Sequence, residues 1–391
     1  MNKEKIVIIS NYYPPEMGAA ANRIKNMAEG LRNAGKEVVV ICPLPNYPSG
    51  RVFKRYKNKF YKKEEIKGIE VRRYWIFPSI SKNVILRFLS MFSFACSMWF
   101  SLFWLLKKKP SIVIVQSPPI FVAFSGLLLS KVIKSKSFLN VSDLWPLSGF
   151  ELGLIKKGLL YSFLERIELF NYKLADKIIG QSEETINYIG KKVDKEFLVY
   201  RNVPFYKEFE TSPKKETFRI VYAGLLGYAQ GVLNICNHIN FKDYDVEFHI
   251  YGSGMEEVAL TNFLRSTNRN IFFHGKLDAD KIKTEILKYD VALVSLVHKI
   301  YGAVPSKIFE LMQLKIPVLF SGTGEGAEIV KNEEIGLCSA SGNYNSLIEN
   351  ISAFKKMDRY SFKEYSNNCF NAHRNKYHLE LEMIKLLKFL A

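Results

Sequence analysis

The sequence is poor in the groups that staple small folds or hold metals. It has five cysteines, at 42, 96, 236, 338 and 369, and no C-x-x-C pair. An odd number without pairing argues against a disulfide framework or a zinc site and suits a reducing compartment. The six histidines show no ligand spacing, and His249 and His274 are expected to pack within strands. No G-x-G-x-x-G dinucleotide fingerprint follows the first strand. Two Asp-x-Asp pairs exist, but Asp243-Tyr-Asp245 precedes its strand, and Asp278 of Asp278-Ala-Asp280 reads as a helix cap. No metal is therefore expected. Acidic residues nearly vanish from one stretch: residues 51–136 carry 18 basic against 3 acidic side chains, and Asp143 is the only acid between 71 and 150. MNKEK runs directly into IVIIS, without the longer apolar region and cleavage site of a signal peptide, so a cytoplasmic location is expected.

What is present is a chain of 391 residues, 48% hydrophobic and 14% aromatic, long enough for two packed domains and too apolar for disorder. Charge divides unevenly between the halves. Residues 1–200 hold 32 basic and 16 acidic residues, residues 201–391 hold 24 and 22. The basic first half calls for an anionic partner.

Short β-branched runs alternate with helical patterns. Strands are expected at 5–10, 37–43, 68–74, 111–117, 137–143 and 177–182, and a helix over 20–35 ends at Gly35. The pattern restarts at 218–224 and continues with 246–252, 270–275, 290–296 and 316–322. Near-continuous apolar strands separated by helices argue for parallel sheets covered on both faces. The expectation is an α/β chain of two Rossmann-like domains facing across a cleft. The first spans 1–200, a polar linker 201–217, the second 218–372, and a C-terminal helix 373–391. In such sheets ligands bind at the C-terminal ends of the strands.

Residues 88–106, FLSMFSFACSMWFSLFWLL, carry no charge and reach the length of a membrane span. The strands on either side belong to one sheet, which a spanning helix would divide between two sides of a bilayer. Ser90, Ser93, Ser97 and Ser101 form one helical stripe suited to close packing on a sheet. Phe92, Trp99, Phe103 and Leu106 form the opposite face. Two readings remain open: a buried core helix, or a helix whose outer face enters a membrane interface between the basic segments 51–73 and 107–109.

Four loops at expected strand ends are candidate sites. YYPPEMGAAANR (12–23) places Gly18 and three alanines at a helix start, where an anion can approach closely; an ordinary strand-to-helix turn looks the same. YAGLLGYAQG (222–231) contributes Gly224 and Gln230, and YGSGMEE (251–257) contributes Gly254. NVSDLWP places Asp143 at a strand end, to orient a hydroxyl or move a proton, or simply to cap a helix or pair with a cation. In AVPSKIFELMQLKIPVLFSG (303–322), Lys307 and Glu310 start a short helix.

YAGLLGYAQGV, YGSGMEE, FFHGKLDADKI, YDVALVSL and VPSKIFELMQLKIPVL occur in the order and spacing of the GT-B glycosyltransferases of family 4, which the chain resembles over nearly its whole length. The YYPPE–G loop, DLWP and the P-S-K-x-x-E box resemble the bacterial enzymes of O-antigen and capsule assembly that transfer N-acetylated sugars. That resemblance implies a UDP-sugar donor, no further cofactor, retention at the anomeric carbon, and a C-terminal helix (373–391) that packs back on the first domain. Glu310 would accept the ribose hydroxyls. The diphosphate would lie at the helix start against Ser306, Lys307 and Ile308, with Lys307 stabilising the leaving group. Gly18 would close over the phosphates, backbone groups near Lys276-Leu277 would read the base, and Asp143 would lie near sugar and acceptor. The implied acceptor is a saccharide on a lipid diphosphate at an anionic membrane surface, with no nucleic acid involved. Two departures stand out. The first glutamate of the family's Glu-x7-Glu falls at Gly302, and the loop of the second domain carries Gln230 where many members have cations. Lys299 or Arg23 would then help Lys307. A 2-epimerase of the same fold, and a non-catalytic membrane or nucleic-acid binder suggested by KRYKNKFYKK (54–63), are the rival readings; neither explains both the basic apolar domain and the P-S-K-x-x-E box.

Overall fold

The computed structural model describes residues 4–47, 49–79, 84–210, 216–297 and 299–391. The chain divides into two compact units, Met1–Asn202 with Leu379–Ala391, and Val203–His378. Residues 203–210 belong with the second unit rather than to a free linker, because the Gln313 side chain donates to the Phe205 carbonyl and Tyr206 stacks on His373. The rest of the expected linker, 211–215, lies outside the described residues, as does His298.

In the first unit, eight strands form one sheet: β1 (Lys5–Ile9), β2 (Glu37–Pro43), β3 (Tyr61–Ile66), β4 (Ile69–Tyr74), β5 (Ile112–Ser117), β6 (Lys136–Val141), β7 (Lys177–Gly180) and β8 (Glu196–Val199). Their order is β3-β4-β2-β1-β5-β6-β7-β8, parallel except for the β3–β4 hairpin. β1, β2 and β5 are buried almost throughout, as a sheet covered on both faces requires. In the second unit, β9 (Phe218–Leu225), β10 (Val246–Ser253), β11 (Ile271–Gly275), β12 (Val291–Ser295), β13 (Val318–Ser321) and β14 (Gly336–Ser339) run parallel in the order β11-β10-β9-β12-β13-β14. Both sheets change winding direction beside their first strand, between β1 and β5 and between β9 and β12. That crevice, at the strand C-termini, is where such sheets take ligands.

Helix α1 (Ala19–Asn33) follows β1, and Gly35 takes a positive φ while its N–H meets the Arg32 carbonyl. The expected apolar helix is broken in three: α2 (Val84–Ser97), a 3-10 turn (Met98–Ser101) and α3 (Leu102–Lys108). α3 meets the sheet at β4, where Arg72 lies over the Trp104 ring, while α2 rests on another helix. α2 packs on α4 (Ile120–Val132), and α4 packs on β5 and β6. Its serine stripe turns inward all the same: Ser97 Oγ donates to the Trp75 carbonyl and Ser93 Oγ accepts from the Phe77 N–H, tying α2 to the chain leaving β4. As an outer layer, the segment leaves Leu89, Phe92, Phe100, Phe103 and Leu106 exposed, Phe103 by 84%. Trp99 is only half-buried, its indole donating to Ser125 Oγ.

The C-terminal 373–391 is two pieces. Helix Arg359–Asn375 ends in the second unit, and a separate helix, Leu379–Leu390, packs on α1 in the first. Arg23 of α1 lies close to it, 2% exposed. Its guanidinium donates to the Tyr200 carbonyl and to Asn140 Oδ1, each at 2.7 Å, and lies 5.3 Å from the Tyr200 ring centroid. Replacing Arg23 by Ala would leave Asn140 Oδ1 and a buried carbonyl without their charged donor. We expect a loss of about 3 kcal/mol, read as a lower urea midpoint with unchanged slope.

Candidate active site

In the second unit, the loops after β9 and β10 are built against each other. The Leu226 N–H donates to the Ser253 carbonyl and the Glu256 N–H to the Leu226 carbonyl, both at 3.0 Å. A β-carbon on Gly252 would overlap the Gly224 carbonyl, and one on Gly254 the Leu226 carbonyl. These glycines therefore serve backbone approach within the chain itself. The β9 loop is pinned to the next strand by Ser295 Oγ, which donates to the Gln230 carbonyl at 2.7 Å. The Gln230 side-chain Oε1 is buried without a partner among the described residues. Lys276, exposed, and Leu277, half-buried, follow the edge strand β11.

Helix Lys307–Gln313 connects β12 to β13, so its N-terminus faces the C-terminal end of the sheet. Ser306 holds the N-cap position without a side-chain bond. Ile308 turns its side chain into the core and its N–H meets the Pro305 carbonyl. Lys307 and Glu310 are not separate: Nζ meets Oε2 at 2.7 Å, with both side chains about a third exposed. Lys299 lies 5.3 Å from the Tyr301 ring centroid.

In the first unit, Gly18 is exposed and precedes α1, whose first turn has no acid and no side-chain cap. The loop before it is held by Glu16, which the sequence reading passed over. This buried carboxylate accepts from the N–H groups of Asn46 and Tyr47 at 2.8 and 2.9 Å. Burial raises its pKa against those hydrogen bonds. Arg73, fully buried, donates to the Pro14 carbonyl and pairs with Glu64 at 2.5 Å. An acid inside the YYPPE run of a basic domain was the available signal for Glu16; Arg73 gave none.

Asp143 lies two residues beyond β6. It is neither a helix cap nor ion-paired among the described residues; Pro146 holds the cap position of helix Leu147–Glu151. Its side chain reaches solvent, yet protein atoms surround it densely enough to raise its pKa to about 6, against the pull of Arg23. Beneath it runs a buried polar chain: Arg23 to Asn140, Asn140 Nδ2 to Gln116 Oε1 at 2.6 Å, and Gln116 Nε2 to Ser142 Oγ at 2.7 Å. Arg23 is spent on this network and is no free cation for a diphosphate.

Two family models match the chain: "Glycosyl transferase 4-like domain" over residues 18–196 and "Glycosyl transferases group 1" over residues 217–355. The chain belongs to the family 4 glycosyltransferases of GT-B fold. A relative named as a colanic acid biosynthesis glycosyl transferase, WcaI of Escherichia coli K12, is 26% identical over 330 residues, 79% of this chain and 81% of the relative. The sucrose-phosphate synthase of Thermosynechococcus elongatus superposes with a TM-score of 0.76 at 13% identity, over 99% of this chain and 98% of the other. Anabaena HepE, solved in complex with UDP and glucose, superposes with a TM-score of 0.70 at 12% identity, over 99% of both chains.

Among the described residues of this glycosyltransferase, no three His, Cys, Asp or Glu side chains cluster as a metal site. Asp245 pairs with Lys355 at 2.9 Å and Asp243 accepts from Asn240. Asp278 takes the N-cap position but makes no capping bond with its side chain. His249 and His274 share a ring-nitrogen hydrogen bond at 2.9 Å between β10 and β11, and His274, exposed on the edge strand, stacks on Tyr251 at 4.5 Å.

The raised pKa of Asp143 has a stability consequence. Its ionised form is disfavoured in the folded chain, so its contribution is lost as pH rises from about 4 through about 6. Asp143→Asn should leave the melting temperature unchanged near pH 3.5 and raise it above pH 6.5. Equal melting curves at both ends would mean that the carboxyl is not perturbed.

Proposed function

We propose that the enzyme transfers an N-acetylated, hexosamine-type sugar from a UDP-sugar to a lipid diphosphate-linked saccharide, building a bacterial surface polysaccharide at the cytoplasmic face of the cell membrane. The observation that carries the donor half is the Lys307–Glu310 pair at the helix start beyond β12. An ammonium has three donors and a carboxylate two acceptor oxygens. One donor and Glu310 Oε2 are spent on each other. Lys307 keeps donors for a diphosphate, and Glu310 keeps Oε1 for a ribose hydroxyl. The ion pair thus holds both groups ready rather than blocking them. As the bond from the anomeric carbon to the UDP oxygen breaks, the electron pair goes to that oxygen, and Lys307 stabilises the charge without a metal. Gln230 supplies no charge for the diphosphate; its unpartnered Oε1 can accept from a hydroxyl of the donor sugar. Asp143, with a pKa about 6, suits orienting an acceptor hydroxyl or taking its proton near neutral pH. Retention at the anomeric carbon follows the family resemblance. The name of the WcaI relative supports the polysaccharide, and the UDP in the HepE complex supports the donor.

The acceptor half rests on the surface of α2, the 3-10 turn and α3. Phe100, Phe103 and Leu106 are exposed beside Lys107, Lys108 and Lys109, an apolar ridge with a cationic rim. Each basic residue near an anionic surface adds roughly 1 kcal/mol, and the apolar ridge enters the interface.

Two experiments test these halves. Lys307→Ala should weaken UDP binding by about tenfold to a hundredfold, roughly 1.4–2.8 kcal/mol, and Glu310→Gln by a smaller factor, with unfolding midpoints unchanged; UDP titrations indistinguishable from wild type would remove the pair from the donor site. The full chain should float with anionic liposomes at low salt and be released by high salt, and Phe100→Ser/Phe103→Ser should abolish flotation. Wild-type protein that stays at the bottom of the gradient would refute the membrane surface.

A further inference from the structure

The first unit contains a second concavity, away from Asp143. It measures about 620 Å3, within the ~300–1,000 Å3 of small-molecule sites. The edge strand β3 forms one side, the 3-10 turn Lys54–Tyr56 another, and Pro14-Pro15 closes it toward the loop that carries Gly18. No residue assigned to the donor lines it.

Its charges do not cancel. Glu64 is committed to Arg73 at 2.5 Å and to the Tyr56 hydroxyl at 3.1 Å. Lys63 and Glu65 also line the cavity but alternate to the other face of β3, where Lys63 pairs with Glu70 at 3.1 Å. On the cavity's own face remain Lys62, which stands opposite Arg73 in the hairpin register, and Arg55 from the turn. Neither Lys62 nor Arg55 has a carboxylate within 4 Å among the described residues. The lining thus carries Arg55, Lys62 and Lys63 against Glu64 and Glu65, and Arg55 and Lys62 lie on separate walls.

The hairpin also meets the apolar ridge. Phe60, just before β3 and two residues from Lys62, meets Phe100 edge-to-face at 5.1 Å, and on the hairpin's other face Arg72 of β4 lies 3.9 Å from the Trp104 ring centroid. Phe60 is itself half exposed. Apolar surface, paired cations and a proline wall leading to Gly18 follow one another along the hairpin.

We propose that this concavity is a subsite for the diphosphate of the lipid-linked acceptor. Arg55 and Lys62 hold the two phosphates, the lipid leaves over Phe60, Phe100 and Phe103, and the saccharide passes Pro14-Pro15 toward Gly18. Arginine contributes a planar fork and lysine a point charge, a combination that suits two linked phosphates. The inference rests on the lipid-linked acceptor proposed above.

The test is calorimetric binding of farnesyl diphosphate, below its micellar concentration, to the full-length protein. Wild type should bind it saturably. Arg55→Ala/Lys62→Ala should weaken binding at least tenfold while UDP titrates normally. Lys57→Ala/Lys59→Ala removes the same charge outside the concavity and should bind as wild type does. Inorganic diphosphate should bind more weakly than farnesyl diphosphate. Absence of saturable binding to wild type, or an equal loss in both double variants, would overturn the subsite. Equal affinity for inorganic diphosphate would overturn its assignment to a lipid. If farnesyl diphosphate binding depends on Arg55 and Lys62 but no lipid-linked saccharide is glycosylated, the acceptor reading fails and the diphosphate subsite stands.

Discussion

The buried guanidinium of Arg23 holds the first domain together at its ligand edge. A charge taken from water must be compensated where it lands. Here the compensation comes from neutral groups: the Tyr200 carbonyl, the Tyr200 ring and Asn140 Oδ1. Those groups belong to the segment leaving β8 and to β6, so one side chain from α1 joins three distant parts of the chain. Its pKa is lowered to about 10 by burial, so it stays charged at neutral pH. The polar chain from Asn140 through Gln116 to Ser142 then fixes the ends of β5 and β6, and Asp143 stands on top of it. The field of Arg23 and the crowding around Asp143 oppose each other. That balance keeps an accessible carboxyl near the pKa range useful for proton movement at neutral pH.

The second domain reaches its ligand edge by other means. Two glycines, Gly252 and Gly254, let the β9 and β10 loops touch backbone to backbone, which makes a thin rim. The charged groups sit at the next crossover, where Lys307 and Glu310 restrain each other at little stability gain, since partly exposed ion pairs contribute about 0–1 kcal/mol. The pair is better understood as preorganisation: each side chain loses rotamer freedom before a ligand arrives.

The eleven runs read as strands all fall on strands of the two sheets, because buried parallel strands are written as near-continuous apolar runs. The three strands missed are edges. β3 reads YKKEEI, alternating between half-buried and exposed positions, and β8 and β14 have four residues each. Their pairing is decided by neighbours distant in sequence. The segment 88–106 shows the same limit. Its composition announced an apolar helix but not its layer; the inner place was taken by α4, whose apolar residues surround it without a stripe. At the site, Lys307 and Glu310 were legible as a motif. The burial of Arg23 was not, since Asn140 lies 117 residues away. Nor was the reason for Gly252 and Gly254, which lies in carbonyls of another loop.

Charge and greasiness coincide in one domain, and that coincidence separates two tasks. The nucleotide-sugar proposed for the second domain would need no broad positive field, because a few fixed groups at a rim would supply its contacts. The second half of the chain is accordingly close to neutral, with 24 basic and 22 acidic residues. A surface field is screened within about 8–10 Å in physiological salt, so excess positive charge acts only on a partner brought close. The excess, 18 basic against 3 acidic residues over 51–136, falls in the same stretch of chain as the exposed aromatic residues of the α2–α3 segment. Apolar side chains that enter an interface bring headgroup phosphates within that distance. Neither the ridge nor the charge would suffice alone: a short exposed ridge buries little apolar area, and a screened patch has little reach. Together they fit the anionic, lipid-bearing partner proposed above.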